Sequence, residues 1–128
     1  MNKTNFFSGE FSDFHTENNV MYLKVKDEIT VFDLNAAKQV LVDRLEYAQG
    51  KDALMIFDCN NVQSYNMDAQ KFDSSEEGLQ GVIAMAVIIK STFQRVLGNV
   101  FFAFQKPKVP IKMFTDVESC HKWLERFK

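Results

Sequence analysis

A chain of 128 residues is one domain of ordinary size, and an apolar share of 46% excludes general disorder. Fifteen basic residues against seventeen acidic leave a formal charge of −2, without the basic excess that a nucleic-acid binder concentrates on one face. Two distant cysteines, Cys59 and Cys120, exclude a disulfide scaffold and suit a reduced compartment.

The N-terminal text MNKTNFFSGEF has no long apolar core of a secretory signal. The longest uncharged apolar run, 79–89, is too short to cross a bilayer as a helix. The expectation is therefore a single cytoplasmic domain over residues 1–128, with no membrane span and no nucleic-acid partner. Residues 1–8 are expected to be loose.

From Gly9 to Thr16 the chain reads as an edge strand that is either bulged or short, because Phe11 and Phe14 have opposite parity. Glu17, Asn18 and Asn19 signal a turn. VMYLKVK (20–26) alternates, with Met21, Leu23 and Val25 on one side. The two segments predict a hairpin at one edge of a sheet. Thr30 and Asp33 form a T-x-x-D capping box before a helix. That helix carries Leu34, Ala37, Leu41, Leu45 and Ala48 on its apolar face and stops at Gly50. Lys38, Asp43, Arg44 and Glu46 are expected on its wet side.

ALMIF (53–57) predicts a buried strand, stopped by Asp58, Cys59, Asn60 and Asn61. Asn66 is a candidate N-cap for a short helix from Met67 to about Glu77, with Gly78 behind it. VIAMAVII (82–89) is apolar without alternation, as a strand covered on both faces should be. Ser91 and Gln94 then box the start of a helix whose stripe is Phe93, Val96, Leu97, Val100, Phe101 and Phe104. Phe102 falls opposite that stripe, beside Arg95 and Asn99. It is exposed, covered by another chain, or lines a pocket. Lys106, Lys108 and Lys112, around Pro107 and Pro110, read as a solvated connection. Residues 109–114 predict the last strand. Thr115 and Glu118 box a final helix burying Val117, Cys120, Leu124 and Phe127, with Trp123 at the border.

The order is β-β-α-β-α-β-α-β-α. It predicts an α/β domain: a mixed, mostly parallel sheet of about five strands with an antiparallel edge hairpin and four helices.

Ligands of open α/β sheets gather at the carboxyl ends of the strands. Here those ends are 58–65, 90–92 and 115–116. Neither G-x-G-x-x-G nor a Walker A sequence is present. Asp58 as a phospho-acceptor would need metal-holding carboxylates that the first strands do not supply at their ends, so a structural Asp58 is preferred. Cys59 lacks an evident base, since His15 and His121 lie on other segments, and reads as a buried inert thiol. Cys120 and His121 are adjacent on a helix and point about 100° apart, which does not suit one metal ion. No catalytic set, metal site or cofactor is expected, and an enzyme ranks last.

The element order, with a short helix after a buried strand ending in Asp, resembles the STAS domain, the anti-anti-sigma-factor or SpoIIAA-like fold. The segments DRL (43–45), EEGLQGV (76–82), STF (91–93), LGN (97–99), KPKVP (106–110), FTD-x-E (114–118) and KWL (122–124) are similar to small stand-alone bacterial proteins of this type. The likeness spans roughly 18–127. It implies a non-catalytic regulatory module. In signalling members a partner kinase phosphorylates a serine of a D-S-S-G motif at the start of the second helix, where free N–H groups and the dipole receive phosphate. Laid on that pattern, Asn66 takes the place of the Asp, Met67 and Asp68 the serines, and Ala69 the glycine. The phosphoserine position thus holds Asp68: permanent charge without a switch. Ser64 reads as an ordinary loop serine rather than a displaced acceptor.

The resemblance implies a partner surface of Asn60, Ser64, Tyr65, Asn66, Asp68 and Ala69, with Lys90 and Ser91 beside it. The partner is expected to be another protein or a second copy, as in a homodimer. The alternative is a small apolar ligand or lipid, compatible with thirteen Phe residues and with Phe102.

Overall fold

The computed structural model describes residues 6–89 and 108–128. Its strands are β1 (Phe7–Ser8), β2 (Ser12–Glu17), β3 (Val20–Val25), β4 (Val31–Phe32), β5 (Ala53–Asp58), β6 (Ser64–Tyr65), β7 (Val82–Ile88) and β8 (Ile111–Phe114). Its α-helices are α1 (Leu34–Ala48), α2 (Met67–Asp73) and α3 (Val117–Leu124), the last followed by one 3₁₀ turn, Glu125–Phe127. Six strands form one sheet in the order β1-β2-β3-β5-β7-β8. The β1–β2 and β2–β3 pairs are antiparallel; β3–β5, β5–β7 and β7–β8 are parallel. The result is a mixed, mostly parallel sheet with an antiparallel edge.

Every new parallel strand is added on the same side of the previous one. Right-handed crossovers then keep the connecting helices on one face. Ala36, Ala37 and Val40 of α1 and Ala69 of α2 accordingly pack with Met21, Leu23, Val25, Met55, Phe57, Met85 and Val87. The other face carries Val20, Leu54, Ile56, Ala84, Ala86 and Ile88, covered by Cys120, Trp123 and Leu124 of α3. The alternation of β3 and the unbroken apolar run of β7 place these residues, because β7 is covered on both faces.

The counts depart from the expected five strands and four helices. Phe7 and Ser8, expected to be loose, form an edge strand: the Phe7 ring lies 5.9 Å from Phe14 and 6.4 Å from Tyr47, and Ser8 Oγ donates to Asp13 at 2.7 Å. A second, two-stranded sheet joins β4 to β6 in parallel. The helix expected over 92–104, with its Ser91 box, lies outside the described residues. The hairpin turn holds: Asn18 and Asn19 have φ of 55° and 65°, the left-handed pair of a two-residue loop. Of the two expectations for the first strand, the short strand holds and the bulge does not: β2 starts at Ser12, after Phe11, and pairs with β3 without a register shift.

Two capping boxes are displaced. Asp33, not Thr30, caps α1, its carboxylate accepting from Ala36 N at 2.9 Å. The Thr30 carbonyl instead accepts from the amides of Gln63 and Ser64, at 2.7 and 3.0 Å. Asp116, not Thr115, caps α3, accepting from Ser119 N at 2.7 Å, and Val117 is left exposed. At α3 the Asp116 carboxylate is favoured over the neighbouring Thr115 hydroxyl because its bond to a free amide is charge-assisted; at α1 the strand β4 intervenes between Thr30 and the helix.

Asp43 and Arg44 are buried, against the expected wet side. Arg44 follows Val40 and Leu41 by four and three residues, so it extends their stripe. Helix α2 stops at Asp73 rather than near Glu77. The hydroxyls of Ser74 and Ser75 take the Gln70 and Phe72 carbonyls, at 3.0 and 2.5 Å, and break the last turn. Between β5 and β7 the register slips, with Ala53 opposite Val82 and Leu54 opposite Ala84, so that Ile83 of β7 is the extra residue and is exposed.

Candidate functional site

The carboxyl ends of β3 and β5 lie side by side, with Lys24 paired to Asp58 in the parallel register. Asp58 is buried, and both its oxygens are used: Tyr22 Oη donates to one at 2.7 Å and Asn60 N to the other at 3.0 Å. Burial and the Asp58 carboxylate hold the Tyr22 phenol well above its ordinary range. Asp58 is thus a brace for the loop that follows it, not a free nucleophile. Lys24 Nζ donates to exposed Asp27 at 2.8 Å, and Asn61 donates to the same carboxylate. Those two bonds and the lysine charge lower the Asp27 carboxyl below its usual range, while the bond to Asp27 raises Lys24.

The loop from 59 to 66 is therefore tied to the β3–β4 connection by Asn61, by the Thr30 carbonyl and by the β4–β6 ladder. Beneath it, the rings of Phe32, Phe57 and Tyr65 meet edge to face at 5.5 to 6.5 Å. This aromatic cluster anchors the entry to α2.

The structure separates the candidate residues into two groups. Asn60, Ser64 and Asp68 are exposed, and Asn66 is half-buried at the N-cap of α2. Tyr65 and Ala69 are buried in the core and offer no surface. Lys90, Ser91 and Phe102 lie outside the described residues. Ser64 Oγ donates to Asn66 Oδ1 at 3.2 Å, and the Asn66 side chain makes no capping bond to the helix. Asp68 Oδ1 accepts from Ala69 N at 2.9 Å. Two residues outside the expected set stand out: Val31 is 51% exposed and Met67 59%. Val31 pairs with Ser64 in the small ladder, so both apolar groups flank the start of α2. Met67 was legible as the first residue after an N-cap; Val31 was hidden inside a misplaced capping box.

A second group sits under α2. Tyr65 Oη donates to Asp73, and Gln70 Nε2 donates to the Tyr65 carbonyl at 2.8 Å. Arg44 of α1 donates to the carbonyls of Gln80 and Gly78, at 2.7 and 2.9 Å. A void of about 20 Å³ between the helices and the sheet is lined by Arg44, Asp73 and Gly78 among apolar side chains. Burial pushes the Asp73 carboxyl up to about 7, with Tyr65 and Arg44 opposing, and burial lowers Arg44 to about 10.

Burial raises both thiols: Cys59 well above its ordinary value, and Cys120 to about 12. Neither is in the thiolate form that a nucleophile requires. Among the described residues no three His, Cys, Asp or Glu side chains are grouped to hold a metal ion. No helix among them is long and apolar enough to cross a membrane.

The fold defines a mixed α/β domain with a braced loop and an exposed helix start at the carboxyl end of its sheet. The chain belongs to the family described as Domain of unknown function (DUF7793), whose profile matches residues 14–128. No curated protein matches the chain. No solved structure matches it.

Proposed function

We propose that this domain is a non-catalytic STAS-like interaction module, and that the start of α2 is the surface it presents. The observation that supports this reading is the exposure of Met67 and Val31 around Ser64, Asn66 and Asp68 on a loop braced from both sides. A preorganised surface loses little conformational entropy when a partner docks, and a methionine at its centre supplies adaptable apolar contact. Asp68 stands where signalling members of the resembled family carry the phosphorylated serine. The module would then hold one charge state, with its partner preference constant rather than switched by a kinase. The partner is a protein or a second copy of this chain. The apolar-ligand reading draws on Phe102, outside the described residues, and the void lined by Arg44 and Asp73 has room for about one water molecule rather than a lipid.

The test uses full-length protein and Met67→Arg in parallel. Light scattering reports self-association, and affinity capture from the source cells reports a partner. Association that Met67→Arg removes at an unchanged melting temperature supports the surface. Association indifferent to that change, or none by either route, removes it. Intact mass of protein recovered from the same cells would overturn the constant-charge part by revealing phosphate on Ser64.

A further inference from the structure

The surface around Val31 and Met67 is built from two chain segments, 27–37 and 60–70, and their charges have one sign. They carry Asp27, Glu28, Asp33 and Asp68, and no lysine or arginine. All four acidic residues are exposed. Asp27 is answered by Lys24, which donates to it at 2.8 Å. Among the described residues the other three have no ion-pair partner. The next bases, Lys38 and Lys71, stand a turn further along α1 and α2.

The fold gathers these acids around the two apolar side chains. In the β4–β6 ladder Val31 lies beside Ser64 and Phe32 beside Tyr65, so Asp33 comes next to Asn66 and Met67. Glu28 precedes Val31 by three residues, in the connection that Asn61 ties down through Asp27. The ladder also leaves an edge. Its bonds fall on the residues flanking Val31: the Thr30 carbonyl accepts from Ser64 N and the Phe32 carbonyl from Asn66 N, at 3.0 and 3.1 Å. The residue between two such bonds turns its own N–H and C=O to the other side. Among the described residues neither main-chain group of Val31 has a hydrogen-bond partner. An unpaired strand edge is a template for one more strand.

A symmetric dimer through this patch would set it against itself, carboxylate on carboxylate, and like charges across an interface oppose binding. A basic chain gains from the same charges. We propose that the surface takes an extended segment of a different protein, which pairs as a strand with Val31 and sets lysine or arginine, beside an apolar residue, against Glu28 and Asp68. The proposal rests on the interaction reading above and narrows it to one class of partner. Main-chain bonds at Val31 hold the segment, Met67 receives its apolar side chain, and the acidic rim selects its charge.

The experiment selects phage-displayed random heptapeptides on the immobilised full chain, with Met67→Arg as the counter-selecting surface. Enriched peptides are then synthesised and titrated by fluorescence anisotropy. They are expected to carry Lys or Arg beside an apolar residue. Their Kd should rise at least about tenfold when salt is raised from about 0.05 to about 0.5 M, and at least about tenfold in Glu28→Lys/Asp68→Lys. Glu46→Lys, roughly 20 Å along α1 from Asp33, should change it less than about twofold. Methylating alternate main-chain amides of the peptide should abolish binding in one of the two registers, because a strand bonds its neighbour through every second residue. Neutral or acidic peptides, binding indifferent to salt or to the double reversal, or tolerance of methylation in both registers each overturn the proposal. So does an empty selection, or self-association of the pure chain that the double reversal removes, which would seat a second copy here. Should the double reversal lower the melting temperature, Glu28→Gln/Asp68→Asn replaces it, with weakened binding again required. A captured partner that Met67→Arg releases and the double reversal retains would end this proposal and keep the interaction reading; no association sensitive to Met67→Arg would end both.

Discussion

Arg44 donates to the Gly78 carbonyl at 2.9 Å, from the middle of α1 into the turn that leads to β7. A second bond, to Gln80 at 2.7 Å, makes the guanidinium a two-pronged clip on that turn. Removing it as Arg44→Met would leave two inward carbonyls without donors. A loss of about 2–4 kcal/mol in unfolding free energy is expected by urea denaturation. Arg44→Lys should recover less than half, because an ammonium cannot present two parallel donors.

Gly78 is required by sterics rather than by backbone freedom. A Cβ there would overlap the carbonyl oxygen of Phe72, and that atom is main chain and cannot swing aside. Gly78→Ala should cost at least about 2 kcal/mol and shift the amides of residues 72–80. Gly50→Ala is the instructive contrast. No atom lies within contact of a Cβ there, but φ is +81°, so its cost of about 1 kcal/mol would be purely conformational.

The Asp73 carboxyl carries a sign that can be worked out. Its folded value is about 7, against about 4 in an unfolded chain. Between those values the native state binds a proton that the unfolded state has released. Stability contributed by this group therefore falls as pH rises from about 4 to about 7, and is flat above. The difference between wild type and Asp73→Asn isolates it. Asp73→Asn should gain on wild type across that window, by about 4 kcal/mol at pH 8, and the difference should be constant beyond it. A difference that does not vary with pH would assign Asp73 an ordinary acidity.

Ala69 is fully buried on the sheet side of α2, two residues after Met67. Ala69→Arg should unfold the domain or eject α2, at about 3 kcal/mol or more, and so is no probe of a partner surface. Met67→Arg and Val31→Asp should change stability by less than about 1 kcal/mol, since both side chains are exposed. Parallel thermal melts of the three variants check the assignment of faces.

Much of the architecture was legible before any coordinates. The alternation Met21, Leu23, Val25 named one face of β3; the unbroken run in β7 announced cover on both sides; and Glu17, Asn18 and Asn19 announced a turn. Those signals are local: each is a period or a backbone preference inside a few residues. Less of the candidate site was legible. Asn60, Ser64 and Asp68 are exposed where the loop reading had them, but Tyr65 and Ala69 point inward, and Val31 was not singled out. Facing is decided by a ladder between residues more than thirty positions apart.

The sequence by itself determined the longer strands and the helix starts among the described residues, and that the sheet is mostly parallel with an antiparallel edge, because propensity, period and turn chemistry act between neighbours in the chain; the two-residue strands β1, β4 and β6 were not legible in it. Only the tertiary structure decided that Arg44 is inside, that Asp58 is consumed by Tyr22, and that Asp73 meets Tyr65 under a short helix. A charged residue is placed by whichever partner the fold brings within hydrogen-bond reach. That partner comes from another element, and no pattern along the chain records it.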